Sequence, residues 1–208
     1  GGESPGRRPL PAAGNEANTR ALLIDPILSA LGWDLLNFEE VEREFRVYDG
    51  SYLDYALRID GVPKLFVEAK ALNKSLSDKA FIAQTVNYAN NEGVLWCVLT
   101  NGSEYHVYKS NEPVAMERKL LFQVDLRDAL DESGRKQVLR SLHTLSREAV
   151  EGGELDTWGE QVFIDVRTGD ALAKLAGEPS PGFLRAVGAA VEGSSIKSPQ
   201  LRASLGRI

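Results

Sequence analysis

From Asn15 onward, Ala17, Ala21, Leu22, Ile24, Leu28 and Leu31 recur at close to helical spacing, and Gly32 stands where a helix would end. Pro26 interrupts this pattern and is expected to kink the helix or divide it in two. Val41 to Tyr48 then alternates, with Val41, Phe45 and Val47 on one face and Glu42, Glu44 and Arg46 on the other, the signature of a half-buried strand. Leu53 to Ile59 alternates as clearly, Asp60-Gly61 supplies turn chemistry, and Lys64 to Lys70 resumes the alternation, which predicts a hairpin with Pro63 at the turn end or on an edge. Ser77 is placed to cap a helix running to about Asn91, with Ile82, Val86 and Ala89 as its apolar face and Gly93 at its stop. Val94 to Leu99 has no polar member, which suits a central strand covered on both sides, and strand, helix and buried strand in succession imply a right-handed parallel crossover. Asn101-Gly102 turns into a strand over Glu104 to Tyr108, and Leu120 to Val124 adds a further strand at an edge. Leu126 to Val150 reads as helical with a break at Gly134, and short amphipathic segments follow, one of them near Phe183 to Val191.

These elements predict an α/β domain over residues 15–125, built on a mixed β-sheet of about five strands flanked by helices. Residues 1–14 mix Gly, Pro and Arg without apolar periodicity and are expected to form a flexible N-terminal arm, while residues 126–208 form a helical C-terminal extension. A chain of 208 residues can bury a sizeable core without disulfides or structural metals. Its net charge of -6 excludes a protein that coats nucleic acid through a global basic excess, so any nucleic-acid contact must be local. The single cysteine, Cys97, falls in the apolar run and is expected to be a buried hydrophobe. No apolar stretch approaches the roughly 20 residues that cross a bilayer, and the expected setting is the cytoplasm. His106 and His143 lack partners at zinc-ligand spacing, and no run of aromatics offers a base-stacking platform.

Alternation over Lys64 to Lys70 puts Phe66, Glu68 and Lys70 on one face, so a carboxylate and an ammonium point the same way. On the preceding strand Leu53, Tyr55, Leu57 and Ile59 form the apolar face and leave Asp54 on the other. A plain two-residue turn at Asp60-Gly61 would set Asp54 across from Val67, away from Glu68; an odd-length turn or a bulge there brings Asp54, Glu68 and Lys70 together. Two carboxylates on one surface repel until a hard cation takes oxygens from both. Such a cation activates water and stabilises an attacked phosphate, and a lysine beside it orients the water or neutralises developing charge. Phosphodiester hydrolysis uses all of these parts, although Glu68 and Lys70 alone would be an ordinary exposed strand pair and Asp60 is better read as a turn former.

The stretches Leu53-Asp54-Tyr55-Ala56-Leu57, Ile59-Asp60-Gly61 and Phe66-Val67-Glu68-Ala69-Lys70 resemble the N-terminal nuclease domain of type I restriction enzyme R subunits, of the PD-(D/E)xK superfamily. Leu53 replaces the proline that names the motif. Glu16 ahead of Leu31-Gly32-Trp33, and Gln84-x-x-x-Tyr88 after the lysine, match further positions of that family across about residues 15–125. The resemblance implies a restriction-endonuclease-like fold and a Mg2+-dependent DNA endonuclease, with Mn2+ able to substitute. It implies metal binding by Asp54, Glu68 and Glu16, catalytic work by these with Lys70 and Gln84, and nucleic-acid contacts from Gln84 and Tyr88. Lys64, Lys74 and Lys79 are further candidates for holding DNA phosphates. The expected partners are DNA and other restriction or defence subunits. No Gly-x-x-x-x-Gly-Lys-[Ser/Thr] loop is present, so no ATP-driven motor is expected. Two alternatives stay open: a subunit of such a system that binds DNA or assembles without cleaving, and a resolvase or repair nuclease of the same superfamily.

Overall fold

In a computed structural model that describes residues 15–191 and 197–207, the chain is built on one six-stranded sheet in the order β1-β2-β3-β4-β5-β6. The strands are Val41–Arg46, Tyr52–Ile59, Val62–Ala69, Trp96–Thr100, Glu104–Lys109 and Leu120–Asp125. Every neighbouring pair is antiparallel except β3 and β4, which run parallel because α3 (Lys79–Asn91) carries the chain back across the sheet. The expected mixed sheet flanked by helices is therefore present, with β6 pairing fully to complete a sixth strand. The expected arm over residues 1–14 lies outside the described residues. Among the described residues no helix is long and apolar enough to cross a membrane.

The chain divides into two compact units, residues 1–159 and 160–208. In the first, Ile82, Val86 and Ala89 of α3 pack with Ala56, Phe66, Cys97, Leu99 and Tyr108 from four strands. Cys97 is fully buried in that core, as its apolar run implies. Tyr55, one residue along from Ala56 and so on the other face of the sheet, donates its hydroxyl to Asp25 at 2.8 Å and ties down α2 (Asp25–Ala30). The first helical segment is divided as Pro26 predicts: α1 (Glu16–Thr19) widens into a π turn over Arg20–Ile24 before α2 begins, since Pro26 has no N–H for the carbonyl one turn back. Trp33 closes this segment from a buried position, donating its indole N–H to the Leu145 carbonyl at 2.9 Å.

Several boundaries differ from the sequence expectations, each for a local reason. The cap of α3 is Asp78, whose carboxylate accepts from Ala80 N at 2.8 Å, while the Ser77 hydroxyl is paired with that of Ser75 at 2.7 Å. Strand β4 starts at Trp96 because Val94 N still bonds the Ala89 carbonyl at the end of α3. Leu126 to Val150 is not one helix: a short turn is followed by α4 (Glu132–His143) and α5 (Arg147–Glu151), capped by Asp131 and Ser146. Gly134 is no break; it sits in the first turn of α4 and donates to Asp131 Oδ1 at 2.7 Å. Instead of short segments alone, the tail contains α6 (Glu154–Gly177), which has glycines inside but no proline, and an interior glycine costs only about 1 kcal/mol. In the second unit α7 (Pro181–Ala190) and α8 (Ser198–Leu205) follow, with Leu184 and Leu201 buried and Arg202 donating to the Pro179 carbonyl.

Candidate active site

The β2–β3 hairpin decides which polar groups meet. Ile59 pairs with Val62 and Arg58 with Pro63 across a two-residue turn whose central residues, Asp60 and Gly61, both adopt left-handed backbone (φ 51° and 74°). Unbroken, that turn would send Asp54 to the wrong face. The register then shifts, so that Leu57 pairs with Leu65, Ala56 with Phe66 and Tyr55 with Val67, leaving Lys64 as the extra residue of a bulge. Continued by one residue, the shifted register sets Asp54 across from Glu68. The parity correction falls inside β3 and not in the turn because Pro63 has no N–H to give to the ladder, and irregular pairing is where a strand tolerates proline.

Asp54 sits where β2 and β3 part, and its Oδ2 accepts from Ala69 N at 2.7 Å. Its Oδ1 accepts from Arg20 Nη1 at 2.6 Å. At the end of β3 the Lys70 ammonium donates to Glu68 Oε1 at 2.6 Å and to Gln84 Oε1 at 3.2 Å, and lies 5.0 Å from the centre of the Phe81 ring. Gln84 in turn donates to the Tyr88 hydroxyl at 2.9 Å, one helical turn further along α3. Lys70 N bonds the Thr100 carbonyl and so extends the β3–β4 pairing to the lysine itself. Thr19 Oγ1 accepts from Leu72 N at 3.0 Å, fastening the segment after Lys70 to α1.

Burial sets the electrostatics of this group. Glu68 is only 4% exposed, and burial raises its carboxyl to about 7 against the opposing pull of the Lys70 ammonium, with the charges of Asp54 and Glu16 adding to the rise. The Asp54 carboxyl is also raised, by burial first, although the Ala69 N–H, Arg20 and Lys70 all stabilise its anion. Burial and the Asp54 charge raise Glu16, with Lys70 and Arg20 opposing. Three acids thus act on one another and on one lysine.

The structure brings together Asp54, Glu68, Lys70, Gln84 and Tyr88 through direct bonds or strand register, and sets Glu16 within their electrostatic reach. Lys64, Lys74 and Lys79 are exposed, and none bonds to this group; Lys64 is the bulge residue, about 13 Å along the strand from Glu68, and Lys79 pairs with Glu117 at 2.9 Å. Sequence reasoning overlooked Arg20 and Thr19. Arg20 follows Glu16 by four residues, a spacing that places both on one helix face and was the available signal.

The donor set suits a hard divalent ion. Glu68 Oε2 is buried without a hydrogen-bond partner, a state that costs several kcal/mol for a charged oxygen and that a cation relieves. Asp54 would supply a carboxylate oxygen from the neighbouring strand, one that now accepts from Arg20 or from Ala69 N. Among the described residues no group of three or more His, Cys, Asp or Glu side chains stands at ligand spacing, so two protein carboxylates would carry the ion, with main-chain carbonyl and water oxygens completing its shell.

A six-stranded mixed sheet, antiparallel but for the β3–β4 pair joined by the crossover helix α3, makes this a restriction-enzyme-like α/β fold. The chain shares that fold with part of the type IIG restriction endonuclease BpuSI, at a TM-score of 0.50 and 16% identity over 91% of this chain and 24% of that one. A fragment assigned to the HsdR subunit of a type I restriction enzyme from Vibrio vulnificus YJ016 aligns at a TM-score of 0.42 and 26% identity, over 47% of this chain and 21% of that one. The chain therefore spans no more than about a quarter of either solved chain. Neither a protein-family profile nor a curated protein sequence matches it.

Proposed function

We propose that this chain is a divalent-metal-dependent endonuclease that hydrolyses DNA phosphodiester bonds as part of a restriction system, with Mg2+ as the natural ion and Mn2+ as a substitute. The observation that carries the reading is the buried, half-unpartnered Glu68 carboxylate, bonded to Lys70 on its own strand and level with Asp54 on the next. When bound, the ion supplies a water of lowered pKa and neutralises charge at the attacked phosphate. Asp54 and Glu68 are the residues that hold it, and Glu16 adds negative charge behind them.

Lys70 does the remaining work. With its ammonium fixed between Glu68 and Gln84, one N–H stays available to orient the attacking water or to meet the charge that builds on the phosphate oxygens as the new O–P bond forms and the ester bond breaks. Tyr88 holds Gln84 in the rotamer that receives this lysine. DNA is the substrate, and further restriction or defence subunits are its partners.

Nicking of supercoiled plasmid in Mg2+ or Mn2+, measured for the wild type and Lys70→Ala, tests this reading. The variant is expected to lose activity by about 100-fold or more. Equal nicking by both proteins, or none by either, overturns it.

A further inference from the structure

The side chain bonded to Asp54 Oδ1 is Arg20, whose other nitrogen, Nη2, stands 3.7 Å from Glu44 Oε1. Asp54 Oδ2 is engaged by Ala69 N and Oδ1 by Arg20, and a divalent ion drawn to Oδ1 would repel the guanidinium bonded to the same oxygen. Arg20 projects from the π turn, and Glu44 holds its end of the contact from a left-handed backbone (φ 51°) that an L side chain adopts only under constraint. Beside this pair a pocket of about 270 Å3 is lined by Ala17, Arg20, Ala21, Asp25, Arg43 and Glu44. Arg43 borders it half-exposed, bonded to Asp25 through Nη2 at 3.0 Å. Two guanidinium forks, each with five donors, thus flank an open pocket next to the acidic pair.

We infer that Arg20 is an exchangeable counter-ion: it leaves Asp54 for a backbone phosphate of the DNA when the divalent ion takes Asp54, with Arg43 completing the phosphate subsite in the adjoining pocket. This rests on the nuclease reading and assigns its site a substrate-binding residue that the acid and lysine motif does not include. The exchange conserves ion pairs. Metal alone would strip Arg20 of its buried partner and leave it the exposed Glu44, whereas DNA alone would leave the largely buried Asp54 carboxylate with the Ala69 N–H and the Lys70 charge but no ion-pair partner of its own. Each ligand removes the penalty facing the other, so the two bind cooperatively, and by linkage the coupling is the same in both directions.

The test measures binding of a fluorescein-labelled DNA duplex by anisotropy, in EDTA and in Ca2+, which occupies oxygen sites and is used here as a divalent probe of binding. Wild type is expected to bind at least about fivefold more tightly in Ca2+, and Arg20→Gln to lose most of that gain. In EDTA, Asp54→Asn releases Arg20 and is expected to bind DNA at least about fivefold more tightly than wild type, and adding Arg20→Gln to it erases the gain. A Ca2+ effect that survives Arg20→Gln, or an Asp54→Asn gain that survives in the double variant, overturns the exchange. Should Arg20→Gln fail to fold, Asp54→Asn decides alone: an affinity in EDTA equal to that of wild type overturns it. Plasmid nicking that depends on Lys70, together with either overturning result, leaves the nuclease standing without the exchange. Absent nicking with intact Ca2+ coupling does the reverse.

Discussion

Glu68 pays for its position with stability. Its carboxyl ionises near 4.5 in the unfolded chain and at about 7 in the folded one, so it imposes no penalty below about 4.5 and a growing one as pH rises through about 7. The loss across that window is on the order of 3 kcal/mol. Glu68→Gln is therefore expected to raise the thermal midpoint at pH 8 and to change it little at pH 5, read by circular dichroism; an equal shift at both values contradicts the burial argument. The same titration would govern binding of the proposed metal ion. Because only the ionised carboxylate binds a cation, Mn2+ affinity measured by calorimetry is expected to fall steeply as pH drops below about 7 and to level off above it. An affinity independent of pH across that range would place the ion elsewhere.

Between elements, the decisive features are a bulge and a close approach. Lys64 is the extra residue that lets a two-residue turn coexist with Asp54 opposite Glu68, so deleting Lys64 should leave turn and upstream register both intact. That deletion is expected to retain Mn2+ binding, and losing it would contradict the register. Gly102, at φ 81°, lies against α1 and the π turn: a Cβ there would stand 2.7 Å from Leu23 Cβ and 3.2 Å from Thr19 Cγ2. Gly102→Ala is expected to destabilise the protein by about 1–3 kcal/mol in denaturant melts, since it pushes on the segment that carries Thr19 and Leu23. Much of this scale was legible in the sequence. The alternation of Leu53 to Ile59 and of Lys64 to Lys70 located the hairpin, and the need for a parity correction followed from counting faces. Its place did not follow, because whether an odd residue sits in a turn or beside Pro63 depends on ladder bonds that no local pattern encodes. Arg20 escaped notice for a similar reason: its partner lies 34 residues away, and an arginine on a short helix reads as solvated surface. The two-serine stretch before α3 misled the cap assignment, since Asp78 outcompetes Ser77 once Ser75 engages that hydroxyl.

At the scale of the whole molecule, the proposed function would require a chain of net charge -6 to hold a polyanion. Lys64, Lys74 and Lys79 make no bond to the acidic group, and Arg20, Arg43 and Lys70 are each tied to a carboxylate. Few phosphates can then be neutralised. The dependence of DNA affinity on salt is expected to be shallow, with a log–log slope of about -2 to -3 in place of the much steeper slopes of proteins that track the backbone. A slope beyond about -6 would mean that an extended basic surface, not this pocket, holds the DNA. Whether Asp54 and Glu68 form a single seat for a divalent ion beside Lys70 is decided by anomalous diffraction at the manganese edge from crystals grown with Mn2+, which locates that ion directly. The predicted result is a peak bridging the Asp54 and Glu68 carboxylates, absent in Glu68→Gln crystals. A peak elsewhere, or Arg20 still bonded to Asp54 with no peak at saturating Mn2+, would contradict it.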